Sequence, residues 1–159
     1  MGPPVRLEPL GPETLAPVQA LRVKPFQTIF SGDPATFMTG PEDGYDPHVI
    51  LLDEDVIGMF RIDRTFHLRH TFASSDTMAV SNMLIAADRQ GSGYGTAACR
   101  QMASYLKSRL GLVRGVHALV HTRNEAALRA FQRGGWTDTG TEHGRDPTGP
   151  QKILWMPLG

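Results

Sequence analysis

The alternation of apolar and polar positions divides the chain into short strands and two well-defined helices. Residues 5 to 10 read as a first strand, and Pro12 opens a helix with Leu15, Val18 and Leu21 on one face. Three prolines and three glycines make residues 31 to 48 a loop, with one helical turn around 35 to 38. Two apolar runs, 49 to 52 and 56 to 62, flank Asp53-Glu54-Asp55 and predict a hairpin. Residues 64 to 75 are polar and carry no clear period. A strand follows from about 78 to 85.

The helix predicted from about 96 to 110 places Ala98, Met102, Leu106 and Leu110 on one stripe, with Arg100, Ser104, Lys107 and Ser108 opposite and Gly111 at its end. Residues 116 to 120 form the next strand. A second helix, 125 to 133, has Asn124 as N-cap, Glu125 in its first turn and Gly134-Gly135 at its exit. Strands at 136 to 141 and 152 to 158 complete the order β-α-α-β-β-β-α-β-α-β-β. That order predicts an α/β (α+β) fold with a mixed sheet and helices on its faces. A length of 159 residues with 40% apolar content suits one domain, 1 to 159.

Composition excludes more than it selects. Cys99 is the only cysteine, so neither an internal disulfide nor a cysteine-rich zinc site can form, and it reads as a small, partly buried helix residue. No run approaches a membrane span and no signal segment is evident, so a soluble cytoplasmic protein is expected. His117 and His121 are not expected to share a zinc ion, because four residues along a strand separate them by about 13 Å. Net charge is zero, and no basic stripe with interleaved aromatics suggests nucleic acid.

Charge is unevenly spread, however. Between residues 25 and 60 there are seven acids (Asp33, Glu42, Asp43, Asp46, Asp53, Glu54, Asp55) and no Lys or Arg; between 89 and 133 there are eight basic residues and one acid, Glu125. An anionic cofactor on the second segment and a cationic substrate near the first would suit this division.

The basic segment opens with Gln90-Gly91-Ser92-Gly93-Tyr94-Gly95, set between a strand and a helix. A turn poor in side chains that starts a helix leaves backbone N–H groups converging on one point, as phosphate binding requires. The spacing is neither Gly-x-Gly-x-x-Gly nor a P-loop. It is Gln-x-x-Gly-x-Gly, carried by Gln90, Gly93 and Gly95, and here the chain resembles the GNAT superfamily of N-acetyltransferases. Asn124-x-x-Ala127-x-x-x-Phe131-x-x-x-Gly135-Trp136 is similar to a second motif of that family.

The resemblance implies a GNAT-like, mostly antiparallel central sheet flanked by helices. It also implies acetyl-CoA as cosubstrate, with no metal. Met83, Leu84 and Ile85 match the strand whose edge pairs with the pantetheine arm. Gln90, Gly91, Ser92, Gly93, Tyr94, Gly95 and Thr96 match the pyrophosphate turn. Asn124 matches a residue shaping the pantetheine side, and equally suits a plain helix cap. Phe131 stands where many members carry a Tyr that protonates the departing thiolate. A thiol of pKa near 8.5 needs that proton only modestly.

The amine poses the larger demand. An alkylammonium of pKa about 10.4 is neutral about once in 10³ molecules near neutral pH, a handicap of roughly 4 kcal/mol. The strand after residue 78 carries no carboxylate where members often place Glu. Asp33, Glu42, Asp43, Asp46, His48, His67, His70, His117 and His121 remain as candidates to relieve it. The stretch from Leu21 to Phe30, with Gln27 and Phe30, is similar to bacterial spermine/spermidine acetyltransferases, although Asn82-Met83 stands where that group has an Arg-aromatic pair.

The expected activity is acetyl transfer from acetyl-CoA to a primary amine of a small molecule, with a polyamine as one candidate, by direct attack in a ternary complex. The alternative is a catalytically weak acyl-CoA-binding sensor or protein-interaction module. No catalytic residue is singled out. Oligomeric state is left open, a homodimer included.

Overall fold

The computed structural model describes residues 5–27, 44–144 and 149–158. The expected turn at 35 to 38, and Asp33, Glu42 and Asp43, lie outside them. The elements are β1 (Val5–Pro9), α1 (Pro12–Gln19), a 3₁₀ turn (Pro25–Gln27), β2 (Tyr45–Leu52) and β3 (Asp55–Asp63). A second 3₁₀ turn (Phe66–Leu68) leads to β4 (Thr77–Ile85) and a third (Ala87–Arg89). The chain continues as α2 (Tyr94–Leu110), β5 (Gly115–His121), α3 (Glu125–Arg133), β6 (Thr137–His143) and β7 (Gln151–Pro157). The strands form one sheet in the order β1-β2-β3-β4-β5-β7-β6, antiparallel except where β4 meets β5.

Three expectations need correction. Residues 45 to 48 are strand, not loop. They extend the hairpin by pairing with Phe60 to Asp63, and Pro47 fits because its carbonyl accepts the Leu10 N–H at 3.0 Å while its missing donor is not called on. The long helix starts two residues early, at Tyr94, because Gly93 adopts φ +83° and reverses the chain just ahead of it. On α1 the buried face is Thr14, Val18 and the following Leu21 rather than Leu15, since the Thr14 hydroxyl caps the helix by accepting from Gly11 N–H at 2.9 Å.

Two apolar layers cover the sheet. On one face α2 and α3 bury Ile50, Phe60, Ile62, Val80, Val116, Ala118 and Leu154 together with Ala98, Cys99, Met102, Leu106 and Phe131. The other face is covered by α1 over Val49, Leu51, Met59 and Leu84, and by Phe66 and Ala73 over Ala79. Helix α2 and the end of α3 meet at Gly134, where an added Cβ would lie 2.6 Å from Cys99 Cβ, so only glycine allows this close approach. Among the described residues no helix is long and apolar enough to cross a membrane.

Candidate functional site

The parallel ladder between β4 and β5 is short. It runs from Thr77 opposite Gly115 to Val80 opposite Ala118 and stops. Beyond it β4 stays with β3, as Leu84 lies opposite Met59, while β5 stays with β7, as Leu119 lies opposite Ile153. The sheet therefore opens between its two central strands. The cause is a bulge: Arg61 pairs with Ser81 but Met59 with Leu84, so three steps along β4 match two along β3. Asn82 takes up the extra residue at φ +54°, and its side-chain oxygen accepts from Arg61 Nε at 3.0 Å and Nη2 at 2.6 Å. Asn is one of the few residues that tolerates this conformation.

A cleft of about 380 Å³ lies along the opening. It brings together Met83, Leu84, Ile85, Gln90, Gly91, Gly93, Tyr94, Gly95, Thr96 and Asn124, ten of the positions named from the sequence. Ser92 is in the same turn but exposed and not among the lining residues. Phe131 is not among them either: it is 2% exposed, with its ring edge-on to Trp136 at 5.0 Å between centroids. Asn124 serves as a helix cap, its side chain accepting from Ala127 N–H at 3.3 Å, and also lines the cleft.

The turn presents donors. The first intrahelical bond of α2 runs from Ala97 N–H to the Gly93 carbonyl, and no side chain caps the helix, so the N–H groups of Tyr94, Gly95 and Thr96 have no helical acceptor. Gly91 and Gly93 both sit near φ +83°, a conformation that turns the backbone toward the same point without a Cβ in the way. Lys24, Arg89, Arg129 and Arg133 line the cleft with no carboxylate among the lining residues. Arg89 is held by Asp55 at 2.9 Å. Lys24, Arg129 and Arg133 do not stand out individually in the sequence; the i, i+4 spacing of the two arginines on α3 is the one signal available there.

Gln90 is the anchor of the turn. Its Nε2 donates to the Ile85 carbonyl at 2.8 Å and to Gln27 Oε1 at 2.8 Å, while Gln27 Nε2 donates back to Gln90 Oε1 at 3.0 Å. Gln27 Oε1 also accepts the Lys24 N–H at 3.1 Å.

Cys99, wholly buried on the inner face of α2, has its thiol pushed far above the ordinary range by burial, so it is not a nucleophile at neutral pH. His48 is buried too, with Nδ1 2.7 Å from the Tyr105 hydroxyl; desolvation lowers it from 6.5 to about 4, against a smaller upward pull from Asp46. Asp46, expected in an acidic loop, instead lies on β2 and pairs with Arg64 at 2.9 Å. No cluster of three or more metal-ligating side chains occurs among the described residues.

A sheet split between two parallel central strands, with an uncapped turn at the head of α2, sets an open strand edge beside a cluster of N–H donors. The chain belongs to the acetyltransferase (GNAT) family, which it matches over residues 16–136. The fold agrees with an aminoglycoside acetyltransferase in complex with coenzyme A, at TM-score 0.76, 16% identity, and coverage of 97% of this chain and 95% of that one. A spermidine N-acetyltransferase from Vibrio cholerae in complex with coenzyme A and spermine aligns at TM-score 0.69 and 15% identity, over 97% and 95%. The ribosomal-protein-S18-alanine N-acetyltransferase from Escherichia coli aligns at 0.66 and 15%, over 98% and 94%. No curated protein matches the sequence.

Proposed function

We propose that the protein is an acetyl-CoA-dependent N-acetyltransferase that acylates a primary amine of a small molecule in a ternary complex. The observation that carries this reading is the coincidence, in one cleft, of the split between β4 and β5 with the uncapped, glycine-framed head of α2. The pyrophosphate would accept from the N–H groups of the turn, aided by the helix dipole and the four cationic side chains. The pantetheine amides would pair along the edge of Met83, Leu84 and Ile85 that β5 leaves open. The inert Cys99 favours direct attack by the amine over an acyl-enzyme intermediate. A single buried thiol also suits a reducing compartment, the cytoplasm.

For the acceptor we infer a small cationic amine of polyamine type. Its support is the acidic bias between residues 25 and 60 and the spermine complex of one structural relative. Asp46 contributes least, since Arg64 already balances it. A catalytically weak acyl-CoA-binding module is the second reading, favoured by the absence of a hydroxyl at Phe131. Calorimetry with acetyl-CoA, combined with thiol release in the presence of spermidine, kanamycin and an alanine-terminated peptide, decides among these. Binding with turnover supports the enzyme, binding alone supports the module, and no binding removes both.

A further inference from the structure

Among the described residues three buried side-chain atoms have no hydrogen-bond partner: His67 Nδ1, Ser81 Oγ and His117 Nδ1. Two of them share a face of the sheet at a single place. His117 lies opposite Ala79 in the parallel ladder, and Ser81 is two residues further along β4, before the bulge, so alternation puts it on the Ala79 side. This is the face away from α2, because Val80, Val116 and Ala118 pack beneath that helix while Ala79 joins Phe66 and Ala73. Ser81 is the first residue of β4 past the last rung shared with β5. The two orphaned atoms therefore lie beside the point where β4 and β5 part, on the face opposite α2 and α3, although neither residue is among those lining the cleft. A buried polar atom without a protein partner is rare and calls for an explanation in strain, a catalytic role, or a bound water or ion.

We propose that His117 is the proton acceptor for the attacking amine, with Ser81 Oγ as a hydrogen-bonding contact to that same amine. The proposal rests on the acetyltransferase reading above. The ammonium proton passes to His117 Nδ1, and the freed nitrogen lone pair forms the N–C bond to the thioester carbon. As the C–S bond breaks its electron pair leaves on sulfur, the remaining surplus N–H proton goes to the thiolate, and His117 returns its proton to solvent. Acetyl-CoA and an ammonium thus become an amide, a free thiol and one released proton.

The surroundings of His117 favour this role. Trp155, Phe66 and Phe72 ring it at centroid distances of 4.7, 5.8 and 5.4 Å. The charged and titratable groups facing it are Arg114 and His70, with His143 behind His70 at 4.9 Å. Burial, then Arg114 and His70, lower its affinity for protons below the ordinary histidine value, which keeps the imidazole neutral near pH 7. Of the other candidates, His48 bonds Tyr105 on the α2 face, Asp46 pairs with Arg64, and His67, whose Nδ1 is also unpartnered, lies in the Phe66–Leu68 turn rather than on the split strands.

The test is thiol release from acetyl-CoA with spermidine, kanamycin and an alanine-terminated peptide as acceptors, measured against pH for the unaltered chain, His117→Gln and Ser81→Ala. His117→Gln is expected to lower kcat by about 10²-fold and to abolish the acid limb of its pH profile, with acetyl-CoA affinity by calorimetry unchanged. Ser81→Ala is expected to raise KM for the amine more than it lowers kcat. An unchanged kcat and pH profile in His117→Gln overturns the proposal and leaves the acetyltransferase reading standing. If His117→Gln fails to fold, an unchanged amine KM in Ser81→Ala overturns it instead. An unaltered chain that binds acetyl-CoA and acylates none of the three acceptors removes both.

Discussion

Gln27 and Gln90 face each other with both amide groups paired, 2.8 and 3.0 Å apart, across 63 residues of sequence. The pair ties the 3₁₀ turn after α1 to the turn at the head of α2, while Gln90 also holds the Ile85 carbonyl where β4 ends. One side chain thus sets the distance between the open strand edge and the donor-rich turn.

Removing that tie should be felt in binding. Gln90→Ala leaves the Ile85 carbonyl and the Gln27 amide without this partner, at a cost of about 1–3 kcal/mol. Coenzyme A affinity should fall roughly tenfold, the equivalent of about 1.4 kcal/mol. Gln27→Ala keeps the Gln90 bond to Ile85 and should cost less. A double-mutant cycle in calorimetry should return a coupling of about 0.5–3 kcal/mol; strict additivity would show that the pair does not act as a unit.

Gly93 is the second point of leverage. At φ +83° a β-branched residue is strained, and its side chain would occupy space the phosphate needs. Gly93→Val should weaken coenzyme A binding at least about tenfold. Unchanged affinity would mean that the pyrophosphate lies elsewhere.

These two positions also show how far the sequence can be read. The turn is legible because its chemistry is local: a Gly-x-Gly-x-Gly run beside a clean helical stripe means the same thing in any fold that orders it. Gln27 stands out only within a similarity of ten residues, since nothing local reveals a partner 63 residues away. Tyr45 to His48 read as loop because Pro47 and nearby glycines dominate any local window, whereas ladder partners on β3 decide the outcome. Arg64 neutralises Asp46 for the same non-local reason, which is why a count of acids overstates that residue's part. The bulge at Asn82 leaves no pattern at all, because a single residue in an unusual backbone state does not disturb apolar alternation strongly enough to be seen.

Phe131 behaves as a core residue. Its ring is 2% exposed, edge-on to Trp136, whose indole N–H donates to the Cys99 carbonyl at 3.1 Å. Phe131→Ala should therefore destabilise the fold by about 3–5 kcal/mol in denaturant unfolding. Phe131→Tyr tests chemistry separately: a modest rise in kcat is expected if thiolate departure limits turnover. A large loss of activity with stability intact would show that this position acts on the reacting groups and not only within the core.

Salt should reveal the acceptor. If exposed carboxylates draw a polyamine to the cleft, the apparent KM for spermidine should rise with ionic strength, since such attraction is screened beyond about 8–10 Å at physiological salt. Neutralising Asp33 and Glu42 together should raise it further, while Asp46→Asn alone should do little because Arg64 already offsets that charge. Equal reactivity of neutral and cationic amines would dismiss the polyamine assignment and leave acetyl transfer intact.

Acid should weaken the fold through His48. Buried to 7% exposure, it titrates at about 4 in the folded protein, against 6.5 for an unconstrained histidine. The folded state binds fewer protons than the unfolded one between those values, so stability must fall as pH drops through that window and level off below it. Above pH 6.5 both states are neutral and His48 contributes no dependence. The total loss from this residue is on the order of 3 kcal/mol, because each tenfold drop in proton affinity on folding is worth about 1.36 kcal/mol. Urea unfolding at neutral pH and near pH 4.5 should show the decline, and His48→Asn should reduce it while lowering stability at neutral pH through the lost contact with Tyr105. A variant as acid-sensitive as the unaltered chain would place the titrating group elsewhere.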